Sequence, residues 1–99
     1  MAKIENGETV IVVLQNPREK IWGVLQEINH AGIFIYGIDL NAFEDFVRAL
    51  QNKEPFFALS EQFVPLWRLE KITKDEQSGE IPSMQQEFER RTGLMLAQI

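Results

Sequence analysis

Residues 21–37 read IWGVLQEINHAGIFIYG, and this stretch decides the fold. Two runs rich in β-branched and aromatic residues flank the short loop NHAG at residues 29–32, a pattern typical of a β-hairpin. Gly23 and Gly37 lie inside the apolar runs, where glycine marks a bend, a bulge or a close approach of two backbones. Because a small barrel needs strongly bent strands, this hairpin predicts a curved sheet.

Further segments of strand character surround the hairpin. Residues 9–15 are β-branched and apolar on both faces, and Pro65 is expected to end a strand ahead of a tight turn at residues 66–68. Alternation along the second strand predicts that Trp22, Val24 and Ile28 share one face. The predicted strands are 9–15, 21–28, 33–38, 56–63 and 69–74.

Residues 39–52 change to a helical period, which predicts a helix inserted between strands three and four. Asp39 or Asn41 can act as the N-cap, and Glu44 has the capping-box spacing from Asn41. The apolar stripe has the spacing i, i+3, i+4, i+7 and consists of Phe43, Phe46, Val47 and Leu50.

A second helix is predicted near the C-terminus, after a charged linker at residues 75–82. Ser83 is a good N-cap with Gln86 at the capping-box position, and Gly93 fits the position just past the helix end. Leu94 is then placed to fold back on Phe88. The predicted organisation is a barrel with its helical insertion (residues 1–74), followed by a linker and a helix that packs on the barrel (residues 75–99).

Composition narrows the classes of function. The chain has 99 residues, no cysteine and a formal charge of −5. An acidic balance lowers the expectation of nucleic-acid binding, DNA included, and of binding to anionic membranes. The opening residues lack the apolar region of a signal peptide, and no apolar run approaches the ~20 residues of a membrane span. We therefore expect a cytoplasmic protein with no membrane partner.

Strands one and three are apolar on both faces, which is more apolar surface than one small core uses. The surplus is expected to meet the helices or another subunit. We predict a homo-oligomer, with the strands at 56–63 and 69–74 as the contributors, against the alternative of a monomer covered by its own helices. The residues predicted to be buried are Val12, Leu14, Leu25, Ile35, Phe43, Val47 and Ile72.

The valine-rich first strand and the sequence Gly23-Val24-Leu25 in a bent second strand resemble the Sm and Sm-like (LSm, Hfq-type) family of small SH3-like barrels. The resemblance covers about residues 9–74 and implies a five-stranded barrel, assembly into rings through strand edges, and RNA binding. Two departures concern the family's nucleobase-binding positions. Asn29 stands where the family commonly has Asp, and Pro65, Leu66 and Trp67 stand where it has Arg-Gly or Lys-His. The resemblance therefore implies the fold without its RNA-binding residues.

Six residues form the candidate ligand- or nucleic-acid-binding set: Arg18, Lys20, Asn29, His30, Trp67 and Arg68. The three basic residues are expected at one rim, where Trp67, Tyr36 or Trp22 could stack on a nucleotide. The alternative is that these charges only protect a strand edge from aggregation.

His30 is the only histidine and lies beside Asn29 in the hairpin loop. A general base needs an oriented acid or nucleophile, and the sequence offers none, so a plain turn residue is the favoured interpretation. Acidic residues at 39, 44 and 45 are explained by a capped, solvated helix face better than by catalysis. One histidine without cysteine or an Asp-rich loop predicts no metal, and the absence of a Gly-rich phosphate loop predicts no cofactor.

Three functions follow, in decreasing order of support. The first is a non-enzymatic interaction or scaffold module that self-associates. The second is an RNA- or nucleotide-binding module on the same fold, which is possible but not favoured. The third is a small enzyme, ranked last because no nucleophile–base pair is visible.

Overall fold

A computed structural model describes residues 3–55 and 58–99 and shows a mainly β chain with two α-helices, which confirms the predicted mainly β class with added helices. Three short 3₁₀ turns occur at Leu40–Ala42, Leu66–Arg68 and Leu96–Gln98. The strands are β1 (Thr9–Leu14), β2 (Glu19–Asn29), β3 (Gly32–Asp39), β4 (Ser60–Pro65) and β5 (Leu69–Lys74), and the helices are α1 (Phe43–Gln51) and α2 (Met84–Thr92).

The five strands form one antiparallel sheet in the order β4-β3-β2-β1-β5. Within residues 3–55 and 58–99 the sheet is open, because β4 and β5 lie at its two edges and do not pair with each other. Its bend follows from its connections. A straight strand of 11 residues such as β2 is about 36 Å long. Across β3, Pro65 aligns with Asn29 at one end of β2, and across β1, Leu69 aligns with Glu19 at the other end. The Leu66–Arg68 turn lets Pro65 and Leu69 lie at most about 14 Å apart, so the sheet must bend.

Two glycines allow this bend at the predicted place. Gly23 pairs with Gly37 across β2 and β3, and a Cβ atom on Gly23 would lie 2.3 Å from the carbonyl oxygen of Tyr36. The two backbones therefore approach more closely than any side chain would permit. The expectation of a close backbone approach at these glycines is confirmed.

One face of the sheet, here called the inner face, carries the first hydrophobic cluster. Ile4, Leu69 and Ile72 pack against its margin and stay partly exposed, so Ile72 is the one predicted core residue that is not fully buried. β5 is an edge strand, which leaves one side of it uncovered. The buried members of the cluster are Val10, Val12, Leu14, Ile21, Leu25, Ile33, Ile35 and Val64.

The opposite face, here called the helix face, is covered by α1, α2 and the C-terminal residues. Trp22 is fully buried at its centre, 5.2 Å from the ring of Phe43 and 5.8 Å from that of Phe88, measured between ring centroids. Phe46 stacks on Phe88, so the two helices also pack on each other. Much of the surplus apolar surface of β1 and β3 is therefore covered within one chain.

The helix ends agree with the sequence at α2 and differ at α1. Ser83 caps α2 in a capping box with Gln86, and Gly93 ends it with φ of 74°, as predicted. The predicted capping box on Asn41 is wrong. Asp39 instead accepts a hydrogen bond from the Asn41 backbone and begins the Leu40–Ala42 turn, while α1 starts after Ala42 without a side-chain cap.

Two strand predictions are corrected. A bulge at Gln26 shifts the register of β2, so Ile28 pairs with Ile33 and shares the inner face with Leu25 instead of the face of Trp22. β4 begins at Ser60, and residues 56 and 57 of the predicted fourth strand lie outside the described residues. In the described parts of the chain, no helix is long and apolar enough to cross a bilayer.

Candidate interaction surfaces

The open edges of the sheet are the first candidate surface. In the part of the chain that the structure describes, β4 pairs only with β3 and β5 pairs only with β1. The outward N–H and C=O groups of an edge strand can pair with another strand. Both edges are six-residue strands, and Pro65 at the end of β4 lacks an N–H donor.

An apolar surface lies at the junction of these two edges. The side chains of Leu66 and Trp67 are 53% and 64% exposed in the turn between β4 and β5. The Leu66 N–H donates to the Ala31 carbonyl (2.9 Å), and the Gln15 amide donates to the Trp67 carbonyl (2.8 Å). The turn is thus fixed to the β2–β3 hairpin on one side and to the end of β1 on the other.

Arg68 has a structural role that the sequence did not predict. Its guanidinium donates to the backbone carbonyls of Gln15 (2.7 Å) and Pro17 (3.0 Å) and forms an ion pair with Glu19 (2.5 Å). Its side chain is only 15% exposed. Through these three acceptors Arg68 fastens the β1–β2 turn to β5, and its role in ligand binding stays a prediction.

Arg18 and Lys20 lie at the β1–β2 turn, as predicted, and line a shallow groove of about 330 Å³ with Leu40 and Asn41. Arg18 is 65% exposed and lies 4.0 Å from Glu70. Trp22 is buried in the core, so the predicted stacking of this ring on a nucleotide is wrong. Arg18 and Lys20 therefore lie on an exposed strand end, and the Trp22 indole is not exposed beside them to stack on a ligand.

Asn29 and His30 form the hairpin loop. The Asn29 side-chain oxygen Oδ1 accepts from the Ala31 backbone N–H (2.8 Å), and the Asn29 side-chain NH₂ group donates to Glu27 (2.7 Å). These bonds stabilise the tight turn, which is a common use of Asn. His30 is exposed beside it. Both residues occupy the turn positions that the sequence indicated.

The acidic residues near α1 have separate structural partners. Asp39 caps the Leu40–Ala42 turn, and Asp45 pairs with Arg48 at 3.2 Å. Glu44 pairs with Arg91 of α2 at 2.9 Å, and this hydrogen bond lowers the pKa of the Glu44 carboxyl below its usual value. Within residues 3–55 and 58–99, no group of three or more His, Cys, Asp or Glu side chains could hold a metal ion.

Sequence reasoning missed the connection that holds α2 to the sheet. Asp75 follows β5 and accepts three hydrogen bonds, from the Trp22 indole (3.0 Å) and from the backbone N–H groups of Met84 (2.7 Å) and Gln85 (2.8 Å). In the sequence Asp75 is one acid in a charged linker, so no local pattern distinguishes it.

A second groove, of about 350 Å³, lies between the helix face and the C-terminal residues. It is lined by Val24, Tyr36 and Leu59 on one side and by Leu96 and Ile99 on the other.

Comparison of the chain with protein-family models, with curated proteins and with solved structures found no significant match. Function is therefore inferred from the surfaces of the chain itself.

Proposed function

We propose that this chain is a non-enzymatic interaction module that self-associates through the free edges of β4 and β5. In this proposal the bent sheet is a small barrel of the SH3-like or Sm-like kind with an open seam. The strand order β4-β3-β2-β1-β5 and the three-residue turn between the edge strands support this interpretation. The single observation on which the proposal depends is that both edge strands pair on one side only.

Edge pairing explains why the edges are flanked by apolar side chains. Trp67 and Leu66 lie in the turn where the two edges meet and are 64% and 53% exposed. Exposed clusters of large apolar residues are typical of interaction sites, and tryptophan is enriched among the residues that dominate interface energies. Pairing β4 of one copy with β5 of the next would satisfy backbone groups and bury this apolar turn together.

The helices restrict where a second copy can dock. α1, α2 and the C-terminal residues cover the centre of the helix face, and Phe88 and Leu96 are buried there. The competing arrangement, a monomer whose helices cover all the apolar surface, would leave Leu66 and Trp67 without a use. Their exposure favours the edge-pairing arrangement.

The test is the solution mass of Trp67→Ala measured by multi-angle light scattering at about 50 µM, beside the unmodified chain. The unmodified chain is expected to have a mass of several times 11.5 kDa, and Trp67→Ala is expected to shift towards that single-chain mass. The matched control is Ile81→Ala, because Ile81 is 71% exposed but lies in a separate turn bridged to Ser78.

Two results would contradict the proposal. One is a single-chain mass for the unmodified protein. The other is an equal loss of assembly in Trp67→Ala and Ile81→Ala, which would indicate apolar association without a defined surface. Circular dichroism of each variant establishes that the fold is retained before masses are compared.

A further inference from the structure

Part of the helix face is left uncovered by the helices. The strand register places Glu27, Phe34 and Phe63 in one row across β2, β3 and β4, and Tyr36 and Glu61 in the neighbouring row. Residues directly opposite each other in an antiparallel pair lie on the same face. These five side chains are called the acidic aromatic patch below. Tyr36 touches the helix-covered cluster at its margin, whereas the two phenylalanines lie outside that cluster.

The aromatic part of the patch is a pair of rings. The centroids of Phe34 and Phe63 lie 4.9 Å apart with an angle of 50° between the ring planes. Phe34 forms part of a groove of about 390 Å³, which Gln26, Glu27 and Glu61 also line. The ring surface is therefore accessible from a groove that has two carboxylates.

The two carboxylates of the patch are Glu27 and Glu61. Both Glu27 and Glu61 are exposed, and neither takes part in a salt bridge among residues 3–55 and 58–99. Asn29 donates to Glu27 at 2.7 Å, which holds this carboxylate in place and leaves its second oxygen available. The five residues of the patch include no basic side chain, so the local charge is −2 when both acids are ionised.

We propose that the acidic aromatic patch binds an arginine-bearing segment of a partner protein. A guanidinium is planar, so it can stack on a phenylalanine ring and donate two parallel hydrogen bonds to a carboxylate. An ammonium is a compact, strongly hydrated charge that cannot match both features at once, so lysine is the poorer ligand. The site lies within one chain and does not depend on self-association.

The test is fluorescence anisotropy with a fluorescein-labelled Gly-Arg-Gly-Arg-Gly peptide at low salt. We expect saturable binding that is tighter than for the Gly-Lys-Gly-Lys-Gly peptide. Glu61→Gln and Phe63→Leu are each expected to weaken binding about two- to five-fold, because each removes one charge or one aromatic contact from an exposed site. The control Glu80→Gln, an exposed acid in the 78–81 turn, is expected to leave binding unchanged.

Repeating the titration with Trp67→Ala separates this proposal from self-association. Peptide binding that persists in Trp67→Ala supports the patch even if the proposed assembly does not exist. The inference is overturned by absence of saturable binding, by equal affinity for the lysine peptide, or by equal weakening in Glu80→Gln. It is also overturned if Glu61→Gln lowers the assembly mass and the peptide does not bind, because the occupant would then be a second copy of this chain.

Discussion

Asp75→Asn is expected to destabilise the protein by about 2–4 kcal/mol. Asp75 accepts hydrogen bonds from Trp22, Met84 and Gln85, and its Oδ2 atom alone receives two of them. An asparagine has one acceptor oxygen, so its amide nitrogen must face at least one N–H donor. If the asparagine oxygen takes the Oδ2 position, the Met84 N–H loses its acceptor; if the nitrogen takes it, the N–H groups of Gln85 and of the fully buried Trp22 indole lose theirs. An unsatisfied buried donor costs about 1–3 kcal/mol, and loss of a charge at the α2 N-terminus adds about 0.3–1 kcal/mol.

The assay is urea unfolding at pH 7, followed by circular dichroism. Asp45→Asn is the matched control, because Asp45 is also an acid near a helix start but is 58% exposed and pairs only with Arg48. Its cost is expected to stay below about 1 kcal/mol. A loss below about 0.5 kcal/mol for Asp75→Asn would refute the role assigned to this carboxylate.

Three other predictions concern the core, acid stability and RNA. Leu25→Ala is expected to cost about 2–5 kcal/mol in chemical unfolding, since Leu25 is fully buried, whereas Ile28→Ala on the same face is expected to cost below about 1 kcal/mol because Ile28 is 49% exposed. Equal costs would contradict the exposure of Ile28 near the end of β2. The ionised Glu44 carboxyl stabilises the folded state above pH 4.5, because its pKa in the fold lies below the usual value of 4.5. This contribution is lost as pH falls through the lowered pKa. Glu44→Gln should therefore reduce the decline of the unfolding free energy in acid. A decline of unchanged steepness in that variant would argue against the ion pair. Short U-rich or A-rich RNA is expected not to bind below micromolar concentration at physiological salt, and submicromolar binding in a filter assay that Arg68→Ala weakens would restore the RNA-binding hypothesis.

Local patterns predicted much of the fold. The hairpin at residues 21–37, the capping box on Ser83 and the turn at residues 66–68 are determined by neighbouring residues, so the sequence indicates them directly. The run of β-branched residues located β1, and the helical spacing of apolar residues together with the capping residues located the two helices. Six of the seven residues predicted to be buried are buried, because alternation and helical spacing report which side of an element faces the core.

Long-range contacts account for what the sequence could not indicate. The bulge at Gln26 depends on the register against β3, so alternation alone placed Ile28 on the wrong face. Arg68 bonds to Gln15 and Asp75 bonds to Trp22, each 53 residues away, and nothing near either residue reveals these partners. The acidic aromatic patch is also invisible in the sequence, because its members come from three strands that only the sheet brings together.

Two further ion pairs join side chains that are partly exposed to solvent. Glu87 and Arg90 pair at 2.8 Å on α2, and Glu8 and Lys74 pair at 3.0 Å beside β5. The hydrogen bond from Arg90 lowers the pKa of the Glu87 carboxyl. The pKa of the Glu8 carboxyl is lowered most by the hydrogen bond from the Glu5 backbone and next by the hydrogen bond from Lys74. Exposed pairs contribute little to stability and weaken with salt. The two hydrophobic clusters, one on each face of the sheet, are therefore the main source of stability.

Sedimentation equilibrium of the unmodified chain between about 1 and 100 µM tests the central claim most directly. Edge pairing predicts a mass that exceeds 11.5 kDa and rises with concentration to a defined multiple of it. A single species of 11.5 kDa across the whole range would contradict self-association and would show that the helices and the C-terminal residues suffice to cover the sheet.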